Sequence, residues 1–174
     1  MNPPTLYLML GYPGSGKTTA SKLLHQITGA EHLWADHERK KRFAVPSYTH
    51  AENLKLYAEL NAMAGRLLAE GKSVIFDTNF NFFSDRQKLR RIAAKYNAPV
   101  IVVWVVAPKA VARERATQDA HRQETRILGD MTVANFERMS KNLQPPRAGE
   151  TVVQLDGEGM TAETVAAALK KQQT

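Results

Sequence analysis

The sequence predicts a three-layer α/β domain, with a parallel sheet covered by helices on both faces. Three observations carry this. Apolar runs alternate with amphipathic stretches from end to end, as strand–helix units do. The segment Val100 to Val106 is apolar on successive residues, the pattern of a strand buried on both faces. A glycine-rich turn at Gly11 to Gly16 lies between the first apolar run and the first amphipathic stretch.

In chain order, Thr5 to Leu10 reads as the first strand. A helix follows through Ala20, Leu23, Leu24 and Ile27, with Gly29 as a left-handed cap. His32 to Ala35 reads as a short second strand. A long helix over about Ala51 to Glu70 carries Leu54, Tyr57, Leu60, Leu67 and Leu68 on or near one face and stops at Gly71. Ser73 to Asp77 reads as the third strand. Ser84 and Gln87 form a capping-box signature for the helix through Leu89, Ile92 and Ala93. Pro99 introduces the Val100 to Val106 strand, and Pro108 suits the first turn of a helix bearing Arg113 and Arg115. The polar, basic stretch from Thr117 to Asp130 reads as a flap, with the next helix starting near Asp130. After Pro145 and Pro146 comes a last strand, Thr151 to Leu155, and Thr161 caps a terminal helix. One domain over residues 1–174 accounts for the whole pattern, with no internal repeat.

Composition narrows the function classes. The 174 residues include no cysteine, which excludes disulfides, a thiol nucleophile and a cysteine zinc site. Apolar residues make up 43% and charged ones 24%, a globular balance. The apolar run extending to Ala107 is far short of the ~20 residues of a membrane span. Met1-Asn-Pro-Pro lacks a basic leader, so a soluble, cytoplasmic protein without a membrane partner is expected. A net charge of +7 suits polyanions, whether nucleic acid or nucleotide, and equally serves solubility.

The segment Gly11-Tyr-Pro13-Gly14-Ser15-Gly16-Lys17-Thr18, followed by Thr19, matches Gly-x-x-x-x-Gly-Lys-[Ser/Thr] in its strand–turn–helix setting. Glycines let backbone N–H groups turn inward onto phosphate oxygens, and the helix beginning near Lys17 adds its positive end. Lys17 can reach the β- and γ-phosphates of a nucleotide, and the Thr18 hydroxyl can hold magnesium. Mg-ATP is therefore the expected ligand.

Asp77 ends the third strand at the carboxyl edge of the sheet, where it can bind magnesium directly or through water. The residues after it, Thr78-Asn79-Phe80, lack the adjacent glutamate of ATPase motors, and the chain has no Asn-Lys-x-Asp signature of guanine-specific switches. Asp36 follows the second strand and suits a general base. Arg39, three residues on, suits an acceptor phosphate or other anion. The alternative for this segment is a helix-capping Asp36 and a solvated charge run from Glu38 to Arg42. Arg113, Arg115, Arg122 and Arg126 supply cations that a closing flap brings to a transferring phosphoryl group. A basic helix surface is the other reading of those arginines.

These residues resemble the small P-loop kinases typified by the kinase domain of phage polynucleotide kinase, a group that includes AAA-type predicted kinases and zeta-toxin-like enzymes. The shared pattern is Gly11 to Thr18, Asp36 with Arg39, Asp77-Thr78-Asn79 with Arg86 nine residues on, and an arginine-bearing lid before Val133-Ala-Asn-Phe-Glu-Arg-Met. The resemblance implies an adenylate-kinase-like P-loop NTPase fold with a five-stranded parallel sheet and a short lid at about 117–130. It implies ATP as donor, magnesium as cofactor and a hydroxyl acceptor. By motif it places Lys17 and Thr18 on phosphates and metal, Asp36 as base and Arg39 on the acceptor, with Asp77 and Asn79 beside it. Arg115 and Arg122 are the best lid matches, Arg115 on the nucleotide and Arg122 in catalysis. Acceptors in such a group range from nucleic-acid and nucleoside 5′-hydroxyls to small metabolites and antibiotics. The competing reading is a regulatory ATP-binding module with slow hydrolysis and no acceptor. A third is a growth-inhibiting kinase of the toxin type.

Overall fold

A computed structural model of the chain describes residues 3–118 and 131–172. Five strands form one sheet: β1 (Leu6–Leu10), β2 (Glu31–Trp34), β3 (Val74–Asp77), β4 (Val100–Val106) and β5 (Thr151–Asp156). Their order is β2-β3-β1-β4-β5 and every pairing is parallel. The connections are helical: α1 (Lys17–Thr28), α2 (Ala35–Arg42), α3 (His50–Ala69), α4 (Phe83–Ala94), α5 (Lys109–Thr117), α6 (Val133–Lys141) and α7 (Ala162–Gln172).

Strand side chains alternate between two cores because successive Cβ atoms point to opposite faces. Leu6, Leu8, Leu33, Val74 and Phe76 meet Leu56, Leu60, Ala64 and Leu68 of α3 and Leu89 and Ala93 of α4. Tyr7, Met9, Ile75, Val103 and Val105 meet Ala20 and Leu24 of α1 and Val165 and Leu169 of α7. Central β1 is buried at all five residues, so its unbroken apolar run has a physical reason. Full burial of each such side chain contributes roughly 1.5–3 kcal/mol.

Several local expectations meet their geometry here. Gly29 closes α1 in the left-handed region (φ 68°), its N–H donating to His25 O at 2.9 Å. Thr161 Oγ1 accepts from Thr164 N at 3.3 Å at the start of α7. The capping box at Ser84 and Gln87 does not form. The helix begins at Phe83, so Ser84 lies inside the first turn, and the Phe83 N–H is met instead by Gln144 Oε1 at 2.9 Å. The start expected near Asp130 falls at Val133, where Thr132 accepts from Asn135 N at 3.2 Å.

Glu38 to Arg42 is helical within α2, and its charges are paired rather than only solvated. Arg42 Nε donates to Glu59 Oε2 at 2.7 Å, and its Nη1 pairs with Glu38. Arg86 is fully buried. It makes a two-pronged pair with Glu150 (2.8 and 3.0 Å) and donates to the carbonyl of Phe80 at 2.8 Å. That pair ties α4 to the segment before β5. Among the described residues, no helix is long and apolar enough to cross a membrane.

Candidate active site

Parallel strands carry their ligand-binding loops at their carboxyl ends. The loop after β1 is Gly11 to Gly16, and it is wedged against two neighbouring elements. A Cβ on Gly14, whose φ is 78°, would stand 2.2 Å from the Ala112 carbonyl oxygen of α5. At Gly11 it would stand 2.4 Å from Val105 O. Only glycine allows these approaches, so the turn keeps its curl. Pro13 and Ser15 are buried within it, and Tyr12 leans on Phe136 of α6 with ring centres 6.4 Å apart.

Lys17 opens α1 and is 9% exposed. Its Nζ donates to the carbonyls of Gly11 at 3.0 Å and Tyr12 at 2.8 Å. Burial pushes its pKa down to about 8, against the opposing pull of Asp77 and then Asp36. Asp77, 4% exposed, holds His32 Nε2 at 3.0 Å from its Oδ2. Asp36 stands in the first turn of α2 and is exposed. Burial raises its pKa, Asp77 adds to the rise, and Arg39 and Lys17 oppose it. Lys17, Asp36, Asp77 and Arg39 thus share one electrostatic neighbourhood.

Thr18 is half-buried in the first turn of α1, and Thr19 is exposed. The first-turn N–H groups of a helix have no partner within it, so those of Gly16, Lys17 and Thr18 point where an anion would sit. Ser15 Oγ is buried in the same cradle without a hydrogen-bond partner. A glycine-built cradle, an unpartnered hydroxyl and a buried lysine fit a polyphosphate. Among the described residues no group of three or more His, Cys, Asp or Glu could hold a metal. A hydroxyl and a single carboxylate, Thr18 and Asp77, are the donor set magnesium takes when phosphates complete its shell.

The remaining expected residues divide. Arg39 is buried in contacts with this chain: Nη1 pairs with Glu52, Nη2 donates to Asn53 Oδ1 at 2.7 Å, and the guanidinium lies 4.7 Å from the Tyr48 ring centre. Asn79 is half-buried, with Oδ1 lacking a partner. Arg115 lies on α5 and donates to Gly157 O at 2.8 Å, close to the phosphate loop, because a Cβ on Gly157 would stand 2.2 Å from Ser15 O. Arg113 is exposed, 3.8 Å from Glu137. Arg122, Arg126 and most of the lid expected at about 117–130 lie outside the described residues. Phe80 is core, edge-on to Phe76 at 5.1 Å, and Phe82 is 42% exposed.

Sequence reasoning missed His32, Glu52 and Tyr57. Tyr57 reaches Thr78 Oγ1 at 2.8 Å. His32 also begins a stack: its ring parallels Trp34 at 5.8 Å, and Trp34 meets His37 at 5.9 Å. His32 and Trp34 stand two apart on β2 and so share one face of the strand, and that spacing was the available signal.

Comparison with known proteins agrees with this architecture. A candidate kinase of Chloroflexus aurantiacus superposes with a TM-score of 0.78 at 20% identity, over 99% of this chain and 98% of its own. A gluconokinase of Sinorhizobium meliloti gives 0.69 at 22%, over 99% and 94%. The adenosine phosphosulfate (APS) kinase CysC of Mycobacterium tuberculosis, solved with AMPPNP and APS, gives 0.71 at 16%, over all of both chains. These likenesses establish the fold, a five-stranded parallel P-loop sheet. In sequence, an uncharacterised protein of Mycobacterium tuberculosis is 29% identical over 133 residues, 66% of this chain. The match spans only 27% of that relative's length. A family model described as an AAA domain matches residues 6–146, taking in the phosphate loop, Asp36 and Asp77 together. On that match the chain belongs to the AAA domain family.

Proposed function

We propose that this protein is an ATP-dependent phosphotransferase that moves the γ-phosphoryl group of Mg-ATP to a hydroxyl acceptor. The observation that carries the reading is the placement of Lys17 at the start of α1, Asp36 just after β2 and Asp77 at the end of β3, all at the carboxyl edge of the sheet. A regulatory module needs the first and third of these but has no use for a second carboxylate on the acceptor side. The superposed kinases support the same reading by fold, as does the resemblance to the phage polynucleotide kinase group.

In this reading the phosphate-loop N–H groups and Lys17 hold the β- and γ-phosphates, Ser15 Oγ gaining the partner it lacks. Thr18 and Asp77 would hold magnesium, which neutralises phosphate charge when bound. Asp36 accepts the proton of the acceptor hydroxyl as its oxygen bonds to the γ-phosphorus. The bond from that phosphorus to the bridging oxygen breaks, and its electron pair departs on ADP. The proton on Asp36 then passes to solvent. Arg115, and Arg122 from the lid, supply positive charge to the transferring group. The acceptor is a polynucleotide or nucleoside 5′-hydroxyl or a small metabolite.

Transfer of γ-labelled phosphate to acceptor, run beside AMPPNP binding, tests the assignment. Asp36→Asn should keep AMPPNP affinity and lose transfer. Equal transfer by Asp36→Asn overturns the base assignment. Label released only to water, at one rate with or without acceptor, favours the regulatory module.

A further inference from the structure

Arg39 is the residue that sequence alone would give to an acceptor phosphate, yet its charge is already matched. It is 4% exposed, and its Nη1 pairs with Glu52, itself 7% exposed. Its Nη2 donates to Asn53, and its guanidinium lies over the Tyr48 ring. Glu52 is in turn held by Ser47, whose backbone N–H and hydroxyl both donate to Oε2, at 2.6 and 2.7 Å. Burial opposes ionisation of Glu52, but the Ser47 and Arg39 bonds outweigh it and bring its pKa to about 2. Glu52 is therefore a full carboxylate at neutral pH.

Glu52 pairs directly with Arg39, so the pair as a whole carries no net positive charge to offer an acceptor phosphate. Bidentate capture of phosphate uses a free pair of parallel N–H donors, and both terminal nitrogens of Arg39 are engaged. Nε is buried and without a partner, and the whole side chain is 4% exposed, so no open fork of the guanidinium faces an incoming phosphate. Nearby, Thr78 and Tyr57 offer a pair of hydroxyls, and Asn79 Oδ1 is another buried atom without a partner.

We infer that the acceptor subsite beside Asp36 takes an electrically neutral, hydroxyl-rich substrate, and that Arg39 is a positioning residue there rather than a clamp for an acceptor phosphate. The inference rests on the phosphotransfer reading and narrows its acceptor to uncharged polyols, sugars and nucleosides. Glu52 is the specificity determinant, because it cancels the charge that a phosphorylated acceptor would need.

Acceptors in matched pairs test this: adenosine against adenosine 3′-monophosphate, and D-glucose against D-glucose 1-phosphate. Each pair shares a primary hydroxyl and differs by one phosphate. The expected result is a kcat/KM at least about tenfold higher for the neutral member of whichever pair reacts, since tenfold is a modest 1.4 kcal/mol in the transition state. Equal or better transfer to the phosphorylated member overturns the inference while leaving the phosphotransferase intact. Transfer to no member, with AMPPNP binding intact, counts against the phosphotransfer reading itself. Glu52→Gln, where it folds, should shrink the neutral-to-charged ratio. An unchanged ratio in that variant overturns the role given to the Arg39–Glu52 pair.

Discussion

His32 Nε2 lies 3.0 Å from Asp77 Oδ2, a hydrogen bond from the edge strand β2 to its neighbour β3. It fixes one oxygen of a buried carboxylate, and in the proposed reading the other is left for a metal or a metal-bound water. Outer partners of this kind typically change metal affinity or activity by about 10–100-fold when removed. His32→Ala should therefore weaken AMPPNP binding by about that factor with magnesium and little without it. Calorimetric titration in both conditions checks this, and an equal loss in each would place His32 outside the metal's surroundings.

The Asp36 carboxyl is raised in pKa by burial and by Asp77, with Arg39 and Lys17 opposing. A base works only when deprotonated, so the acid limb of kcat/KM should lie above the ordinary carboxylate range. Asp36→Asn should lose that limb and roughly a hundredfold or more in transfer. A pH profile for both proteins decides it.

Glu52 has the opposite shift, to about 2 from an ordinary 4.5. Above pH 4.5 its bonds to Ser47 and Arg39 contribute in full. As pH falls from there toward 2, the unfolded chain takes up a proton that the folded chain refuses, so the contribution declines and is gone below about 2. The urea midpoint of the wild type should exceed that of Glu52→Gln most at neutral pH, with the gap closing as the pH approaches 2. A gap that does not change between pH 6 and pH 3 would contradict this.

Arg86 makes its bonds wholly inside the protein, to Glu150 and to the carbonyls of Phe80, Gln144 and Pro145. Removing one partner of a buried pair leaves the other charged and unpaired, at a cost of about 3–5 kcal/mol. Arg86→Ala should lower stability by that order in denaturant unfolding. A folded fraction of the variant should still bind AMPPNP, because none of the hydrogen-bond partners of Arg86 belongs to the phosphate loop.

The strands and most helices were legible because apolar runs and 3.6-residue periodicity are local, whereas α2, largely charged, carried neither signal. Also legible was the phosphate loop, where strand, glycines, lysine and helix are consecutive. What could not be read depended on distance along the chain. His32 meets Asp77 only because β2 lies beside β3, and sequence does not state strand order. Arg39 meets Glu52 across a turn and the start of α3, which converts an apparent free cation into half of a neutral pair. The capping box at Ser84 and Gln87 failed for the same reason: Gln144, sixty-one residues from Phe83, reached the helix start first.

The most direct measurement is ADP release from Mg-ATP with and without acceptors spanning 5′-hydroxyl oligonucleotides, nucleosides, sugars and aminoglycosides, using Lys17→Ala as control. Release stimulated by one acceptor class and abolished in Lys17→Ala is the predicted result. Slow release that no acceptor changes would contradict phosphotransfer and favour a nucleotide-binding module.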